Sequence, residues 1–331
     1  MLRYIIKRLL WLIPVMVGVI TIVFAITVLM PGDPAASLLD RNATQEQIDR
    51  IHEELGLDKP VIERWANYVW DVFTEFDFGT SYTTKQPVRD EVLAKLPYTV
   101  ILAVASTLFA VIIGIPLGIW AALKQYTVAD GAILFLSVLF VSMPNFWLAM
   151  MLINWFSVKL GVLPSFYTRE QMLLSWILPI VIATIGSMAS NIRITRSSML
   201  EVMRQDYIRT ARAKGQTEKV IVTRHMLHNA MIPVATSVGT GLGNALGGNM
   251  TIEVVFALPG IGNYVVQAIS NRNYPGMLGG ILVTSLMFTL VNLAVDIAYV
   301  IIDPRLKSQV LGKKASTRQF KKRLKERGVT M

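Results

Sequence analysis

The sequence predicts an all-α integral membrane protein with six transmembrane helices. Hydrophobic residues make up 53% of the 331 residues, only 16% are charged, and the mean hydropathy is +0.50. Soluble domains carry about 25% charged residues, so this composition favours a membrane protein. Six stretches without Asp, Glu, Lys or Arg each reach the roughly 20 residues that a helix needs to cross a bilayer. Positive charge lies between these stretches in the pattern that membrane topology requires.

The predicted spans follow the uncharged stretches. They cover about 9–30, 96–123, 131–158, 171–192, 229–252 and 275–302. The first stretch is longer than the apolar part of a secretory signal peptide, about 7–15 residues, and no small-x-small cleavage site follows it. We therefore expect residues 9–30 to be retained as the first transmembrane helix.

Charge asymmetry predicts that both ends of the chain lie in the cytoplasm. Three Lys/Arg residues lie in the N-terminal segment 1–8, and ten lie between 305 and 327. The segment 31–95 carries thirteen acidic and seven basic residues, which places it outside. Residues 306–331 then form a basic cytoplasmic tail. The net charge of +10 reflects this topology, and we expect no nucleic acid partner.

The outer segment is predicted to contain two short amphipathic helices. Thr44 and Gln47 have the spacing of a capping box, and Gly56 provides a helix stop. Pro60 then begins a second stretch with apolar residues at helical spacing. Two interpretations stay open: a docking platform for an external partner, or a cap that shields the spans.

A dense charged cluster, residues 193–228, separates two of the uncharged stretches. It holds eight Lys/Arg and three acidic residues between 193 and 224, so it should face the cytoplasm. The pattern predicts a helical segment with exposed charge, ended by Gly215.

Glycines and prolines in the apolar stretches predict close packing and kinks. Gly239, Gly243 and Gly247 form a stripe of small residues, as do Gly114 and Gly118. Such a stripe lets another helix approach closely, either within the chain or at a dimer face or pore lining. Helix kinks are predicted at Pro14, Pro116, Pro144 and Pro179.

Several classes of chemistry find no support in the sequence. No G-x-x-x-x-G-K-[ST] loop is present, so nucleotide binding is expected on another subunit. The chain has no cysteine, and His225 and His228 lack further ligands at metal-binding spacing. We predict neither a catalytic site nor a metal site, and no cofactor bound directly by this chain.

Two segments of the charged cluster resemble a loop found in a known protein family. Residues 206–215, D-Y-I-R-T-A-R-A-K-G, followed by 224–233, R-H-M-L-H-N-A-M-I-P, resemble the cytoplasmic "EAA" loop of importer-type ABC permeases, and most closely the peptide/nickel branch. The similarity continues in the N-terminal residues through 31–34, in 96–99, 114–118 and 253–262, and in 291–296 with 303–305. It covers residues 1 to about 306, so that 96–305 form the permease core.

The resemblance implies a type I ABC importer permease with a small helical extracytoplasmic insertion. It further implies a homologous second permease subunit, two ABC ATPase subunits that bind ATP and Mg²⁺, an external substrate-binding protein, and a location in the bacterial or archaeal cytoplasmic membrane. Peptide cargo is the expected substrate, and nickel or a metal chelate is the alternative. A secondary transporter, a channel and a membrane enzyme are the other classes considered.

The resemblance also implies a short coupling helix near 201–218 that docks in a groove of an ATPase subunit. The residues expected to take part are Asp206, Tyr207, Arg209, Thr210, Ala211, Ala213, Lys214 and Gly215. The chain departs from the general pattern at Arg209, where a Glu is usual, and at His228, where the branch often has Arg.

Four further residues are candidates for gating or for a structural role: Glu253, Pro259, Gly260 and Asp296. Asp296 is an acid within a predicted span, and such acids are commonly functional. It lies near the inner end of its helix, where pairing with a basic group such as Arg305 is the structural alternative.

Overall fold

The computed structural model describes residues 2–29, 35, 38–39 and 44–302, and these residues form a helical bundle. Within the described residues, four helical segments are long and apolar enough to cross a membrane: Arg8–Leu29, Val88–Leu123, Met172–Met203 and Tyr274–Val295. A bent pair, Val128–Ser142 with Asn145–Lys159, would add a fifth span. The helix Leu227–Gly248 has the length of a span but is richer in Gly, Ser, Thr and Asn.

The helices are numbered here in chain order. They are α1 (Leu2–Leu29), α2 (Gln45–Glu54), α3 (Val61–Thr74), α4 (Val88–Leu123), α5 (Val128–Ser142), α6 (Asn145–Leu152), α7 (Ile177–Met203), α8 (Asp206–Ala213), α9 (Leu227–Gly248), α10 (Met250–Val255), α11 (Ile261–Ser270) and α12 (Tyr274–Ile302). The π-helical turns Ile153–Lys159 and Ile221–Met226 extend α6 and precede α9.

Helix α4 connects two clusters at opposite ends of the bundle. Near its start, Glu91 accepts a hydrogen bond from the Tyr264 hydroxyl at 2.8 Å. Near its end, Ala122 is buried with Ile208 and Ala211. The 36 residues of α4 span about 54 Å at 1.5 Å per residue, so α2, α3 and α11 lie far from α8.

The two short helices α2 and α3 agree with the sequence prediction. The Thr44 N–H donates to Gln47 Oε1 at 2.9 Å, as a capping box requires. Gly56 has a φ of +64°, in the left-handed region that favours glycine after a helix. The indole of Trp65 on α3 donates to Thr21 Oγ1 of α1 at 3.1 Å, which fixes α3 against the first span.

Three boundaries differ from the prediction. Helix α4 begins at Val88, eight residues before the uncharged stretch 96–123. The charged residues of its first two turns are exposed or partly exposed, so they can be part of the helix without being buried. Helix α7 continues through Arg193 and Arg196 to Met203, so the helix extends beyond the predicted span. The predicted helix near 201–218 is therefore split, and its separate part is α8.

The prolines have different consequences. Pro144 separates α5 from α6, and the two segments meet at 99°, so the kink predicted there is confirmed. Pro179 lies in the first turn of α7, where a missing N–H costs little. Pro14 and Pro116 lie within the continuous helices α1 and α4.

Both glycine stripes pack within the chain. A Cβ on Gly239 or Gly243 would meet Val295 or Phe288 of α12. A Cβ on Gly118 would lie 2.7 Å from the Ile192 carbonyl oxygen of α7. The stripes therefore bring α9 to α12 and α4 to α7.

Gly118→Ala is expected to destabilise the chain by about 1–3 kcal/mol, because the added methyl group meets backbone that cannot move away. Gly18→Ala on α1 is the matched control, since no described atom lies within 4 Å of that position. Thermal unfolding of the purified complex measures both. Equal midpoints for the two variants would contradict this packing.

Candidate coupling site and cavity

Helix α8 is fixed to one end of the bundle by two side chains. Ile208 and Ala211 are 0% and 7% exposed and pack with Met199, Met226 and Ala230. This places one face of the short helix against α7 and the segment before α9. The opposite face stays open to solvent.

The exposed face carries most of the predicted coupling residues. Asp206, Tyr207, Arg209, Thr210, Ala213, Lys214 and Gly215 are all exposed. Tyr207 is also held by the chain, because its hydroxyl accepts a hydrogen bond from Asn229 Nδ2 at 2.9 Å. Ala211 differs from the expectation, since its side chain is buried in the chain's own cluster and faces away from the open surface.

The turn after α8 is held by glycine and by two polar contacts. Gly215 has a φ of +76°, and the Gln216 N–H donates to the Ala211 carbonyl at 3.3 Å. Arg212 donates to both Glu218 carboxylate oxygens at 2.7 and 3.3 Å, which holds the pKa of that carboxyl below its ordinary value. The turn therefore has a defined shape that returns the chain towards α9.

A cavity of about 840 Å³ lies between α7 and α9, with contributions from α4 and α6. None of the described residues that line it is charged, and many are amides or hydroxyls: Thr107, Asn145, Ser187, Ser190, Asn191, Thr236, Ser237, Thr240, Asn244 and Asn249. The Ser237 hydroxyl donates to Asn191 Oδ1 at 3.2 Å and joins the two walls. Thr107 Oγ1 and Asn249 Nδ2 are buried without a partner. The cavity therefore offers neutral hydrogen-bonding groups to a polar solute.

An ion pair near the end of the bundle that carries α8 joins α5 to α7, and the sequence did not predict it. Arg196 Nε and Nη2 donate to the two Asp130 oxygens at 2.6 and 2.7 Å. The Asp130 side chain is 5% exposed and that of Arg196 is 20% exposed. Asp130 also accepts from the Tyr126 N–H at 3.1 Å. This bidentate pair neutralises Arg196, which lies on α7 beyond the predicted end of the span at residue 192.

Glu253 is buried, 1% exposed, close to the N-terminus of α11. Its carboxylate accepts hydrogen bonds from Thr99 Oγ1 at 2.8 Å and from the Asn263 N–H at 3.0 Å. Thr99 Oγ1 in turn accepts from the Ile261 N–H at 2.9 Å. The carboxylate thus joins α4 to the N-terminus of α11.

The other two candidates in this segment, Gly260 and Pro259, differ in how deeply they are buried. Gly260 is buried, and a Cβ there would collide with the Glu253 carboxyl group. Pro259 precedes it and is partly exposed. These contacts favour the structural alternative for Glu253 and Gly260 over the gating one.

Glu253→Gln is expected to lower stability by about 1.5–3 kcal/mol, because an amide offers one oxygen where two donors now meet a carboxylate. Glu75→Gln is the control, an exposed acid at the end of α3. Thermal unfolding and basal ATP hydrolysis of the assembled complex are measured together. Unchanged stability with altered hydrolysis would contradict the structural role and favour gating.

Asp296 lies in the backbone of α12, but its side chain is outside what the structure describes. Asp303, Arg305 and the tail 306–331 also lie outside the described residues. The pairing and gating alternatives for Asp296 stay predictions.

Comparison with known families decides the class of the chain. The family described as "Binding-protein-dependent transport system inner membrane component" matches residues 114–308, and its N-terminal companion matches residues 1–103. The chain belongs to this family. It is a multi-pass permease subunit of an ABC importer in the bacterial inner membrane, as the resemblance predicted.

Individual relatives are similar over nearly their whole length. The dipeptide transport system permease protein DppB of Alkalihalophilus pseudofirmus is 41% identical, over 93% of this chain and 100% of that protein. A putative peptide transport system permease of Brucella abortus strain 2308 is 39% identical, over 92% and 98%. The glutathione transport permease GsiC of Salmonella choleraesuis is 39% identical, over 93% and 99%.

Among solved structures, an inward-facing MetNI methionine ABC transporter chain has a TM-score of 0.53 and 20% identity. The similarity covers 64% of this chain and 96% of that chain. At this identity it establishes the fold, which is the type I importer permease fold that the resemblance implied.

Proposed function

We propose that this permease forms one half of the membrane path of an importer that moves di- or oligopeptides into the cell by alternating access. The second half is a homologous permease chain, two partner ATPases bind ATP and Mg²⁺, and an external binding protein delivers the cargo. The observation that carries this proposal is α8, a short helix fixed by two buried residues with its other face exposed.

The position of α8 supports a coupling role. It follows α7 directly and leads through residues 218–226 into α9, and these two helices form walls of the cavity. A force on α8 therefore acts on both walls. ATP-driven motion of a docked ATPase subunit would shift them and change which side of the membrane the cavity faces.

The cargo assignment rests on relatives and on the cavity. The relatives described above are named for dipeptide, peptide and glutathione transport, which favours peptides over nickel or a metal chelate. Neutral amides and hydroxyls suit peptide bonds, and they admit cargo side chains of either charge. Discrimination between peptides then belongs to the external binding protein.

The test is copurification of the complete complex with its binding protein, followed by mass spectrometry of the retained ligand. Di- or oligopeptides are expected. Recovery of nickel or a metal chelate in their place would overturn the cargo assignment and leave the coupling role intact.

Orientation of the chain can be tested by labelling. The native sequence contains no cysteine, so a single introduced cysteine has no background. A membrane-impermeant thiol reagent should label Gln47→Cys in intact cells and leave Gln216→Cys unlabelled, because 31–95 is proposed to lie outside. The opposite labelling would contradict the six-span topology.

A further inference from the structure

A second, smaller pocket lies at the other end of the bundle from α8, with a volume of about 250 Å³. Its walls come from the end of α1, from α3, from the loop before α4 and from the start of α12. Phe24 and Thr27 of α1 place it beside the outer end of the first span. It is separate from the cavity between α7 and α9.

One face of α3 supplies the polar groups of this pocket. Arg64, Asn67, Tyr68 and Asp71 follow each other at intervals of three, one and three residues and so share a helix face. The neighbouring face, with Trp65 and Val69, packs on α1. The helix is thus anchored by its apolar face and presents a polar one to the pocket.

These polar groups lack side-chain hydrogen-bond partners within the described residues. The Tyr68 hydroxyl is buried and forms no hydrogen bond. The Asn67 and Asp71 side chains are exposed and form no side-chain hydrogen bond within the described residues. The Arg64 guanidinium lies 5.8 Å from the centroid of the Phe24 ring and interacts electrostatically with Tyr82 across the pocket. A buried hydroxyl without a protein partner costs free energy, and an ordered water or a ligand that displaces it satisfies such a group. Tyr68 lines the pocket, so its hydroxyl is the group there with the most to gain from a polar ligand.

The charges of the pocket define the ligand. Arg64 and Asp71 are seven residues apart, about 10 Å along the helix axis, with Tyr68 between them. Lys59 adds a positive charge near Arg64 but lies 3.7 Å from Glu63. Burial raises the pKa of Tyr82 on the opposite wall to about 12, so its hydroxyl stays neutral and can donate. An anionic group fits at Arg64, an amine fits at Asp71, and the tyrosine hydroxyls suit the space between them.

We propose that this pocket binds a small zwitterion, with its anionic group at Arg64 and its amine at Asp71. Two sources offer that chemistry: the phosphoethanolamine headgroup of a lipid in the outer leaflet, and a free peptide or amino acid. The position beside the end of α1 is compatible with both. The site is independent of the proposed cargo path.

The test uses the complete importer complex purified in a non-ionic detergent. The probes are short-chain phosphatidylethanolamine and dialanine, each titrated while the thermal midpoint is followed, with short-chain phosphatidylglycerol and ethanolamine as single-charge probes. At least one zwitterion should raise the midpoint, and both single-charge probes should bind at least tenfold more weakly. A response to phosphatidylethanolamine alone identifies a lipid source, and a response to dialanine identifies a solute.

Variants separate this pocket from the central cavity. Tyr68→Phe removes only the hydroxyl and should weaken the zwitterion about tenfold, and Arg64→Gln and Asp71→Asn should do the same. Arg50→Gln and Asp49→Asn on α2 are the matched controls and should leave affinity unchanged. The proposal is overturned if neither zwitterion binds, if the anion alone binds equally well, or if all three pocket variants bind like the native complex.

Discussion

Replacing Gly215 with valine is expected to reduce ATP-driven transport about tenfold or more while the complex still assembles and hydrolyses ATP. Gly215 has a φ of +76°, and a β-branched residue in that region carries strain of about 1–3 kcal/mol. No described atom lies within 4 Å of the position of an added Cβ, so the effect comes from the backbone alone. Relief of the strain would reshape the end of α8 and displace its exposed face.

Two controls isolate this effect. Gly215→Asn places a residue that tolerates the left-handed region at the same site and should retain most transport. Gly56→Val imposes the same strain in open space at the end of α2, far from α8, and should leave ATP coupling unchanged. Transport and ATP hydrolysis are measured in the same proteoliposomes. Transport by Gly215→Val at the native rate would refute the coupling role of the turn.

Replacing Arg196 with glutamine is expected to destabilise the chain by about 3–5 kcal/mol. The substitution leaves the Asp130 carboxylate, 5% exposed, without its bidentate partner. Arg196→Lys should be intermediate, because it keeps the charge and loses the paired geometry. Yield and thermal midpoint of the purified complex measure the loss.

The double variant Asp130→Asn with Arg196→Gln tests the cause. Removing both charges should recover part of the stability lost in Arg196→Gln, since no unpaired charge remains buried. Arg50→Gln is the exposed control, because its pair with Glu46 is about 75% exposed on both sides and contributes little. Equal losses in the single and double variants would contradict a burial penalty.

The sequence predicted the elements whose signals are local. The capping box at Thr44, the stop at Gly56 and the break at Pro144 all depend on a few neighbouring residues, and the structure confirms each. Gly215 ends α8 for the same reason. Uncharged length likewise located the long spans.

Features that depend on distant partners could not be predicted. The charge that begins at Arg193 was expected to follow the span 171–192, and nothing in the sequence indicated that Asp130, 66 residues away, pairs with Arg196 on the continuing helix α7. Ala211 was expected to contact a partner subunit. It is buried in the structure, because the face of α8 that carries it packs against Met199 and Met226. The contact of Thr99 with Glu253 joins residues 154 positions apart. To predict any of these contacts, one would need to know which helices are neighbours in the fold.

Uptake of a labelled dipeptide into proteoliposomes tests the central claim most directly. The complete complex is reconstituted with its external binding protein and the peptide on one side and ATP with Mg²⁺ on the side of the ATPase subunits. The account predicts accumulation against a gradient that requires both ATP and the binding protein, and that is strongly reduced in Gly215→Val but not in Gly56→Val. Peptide accumulation that persists without ATP, or uptake of nickel in place of peptide, would contradict it.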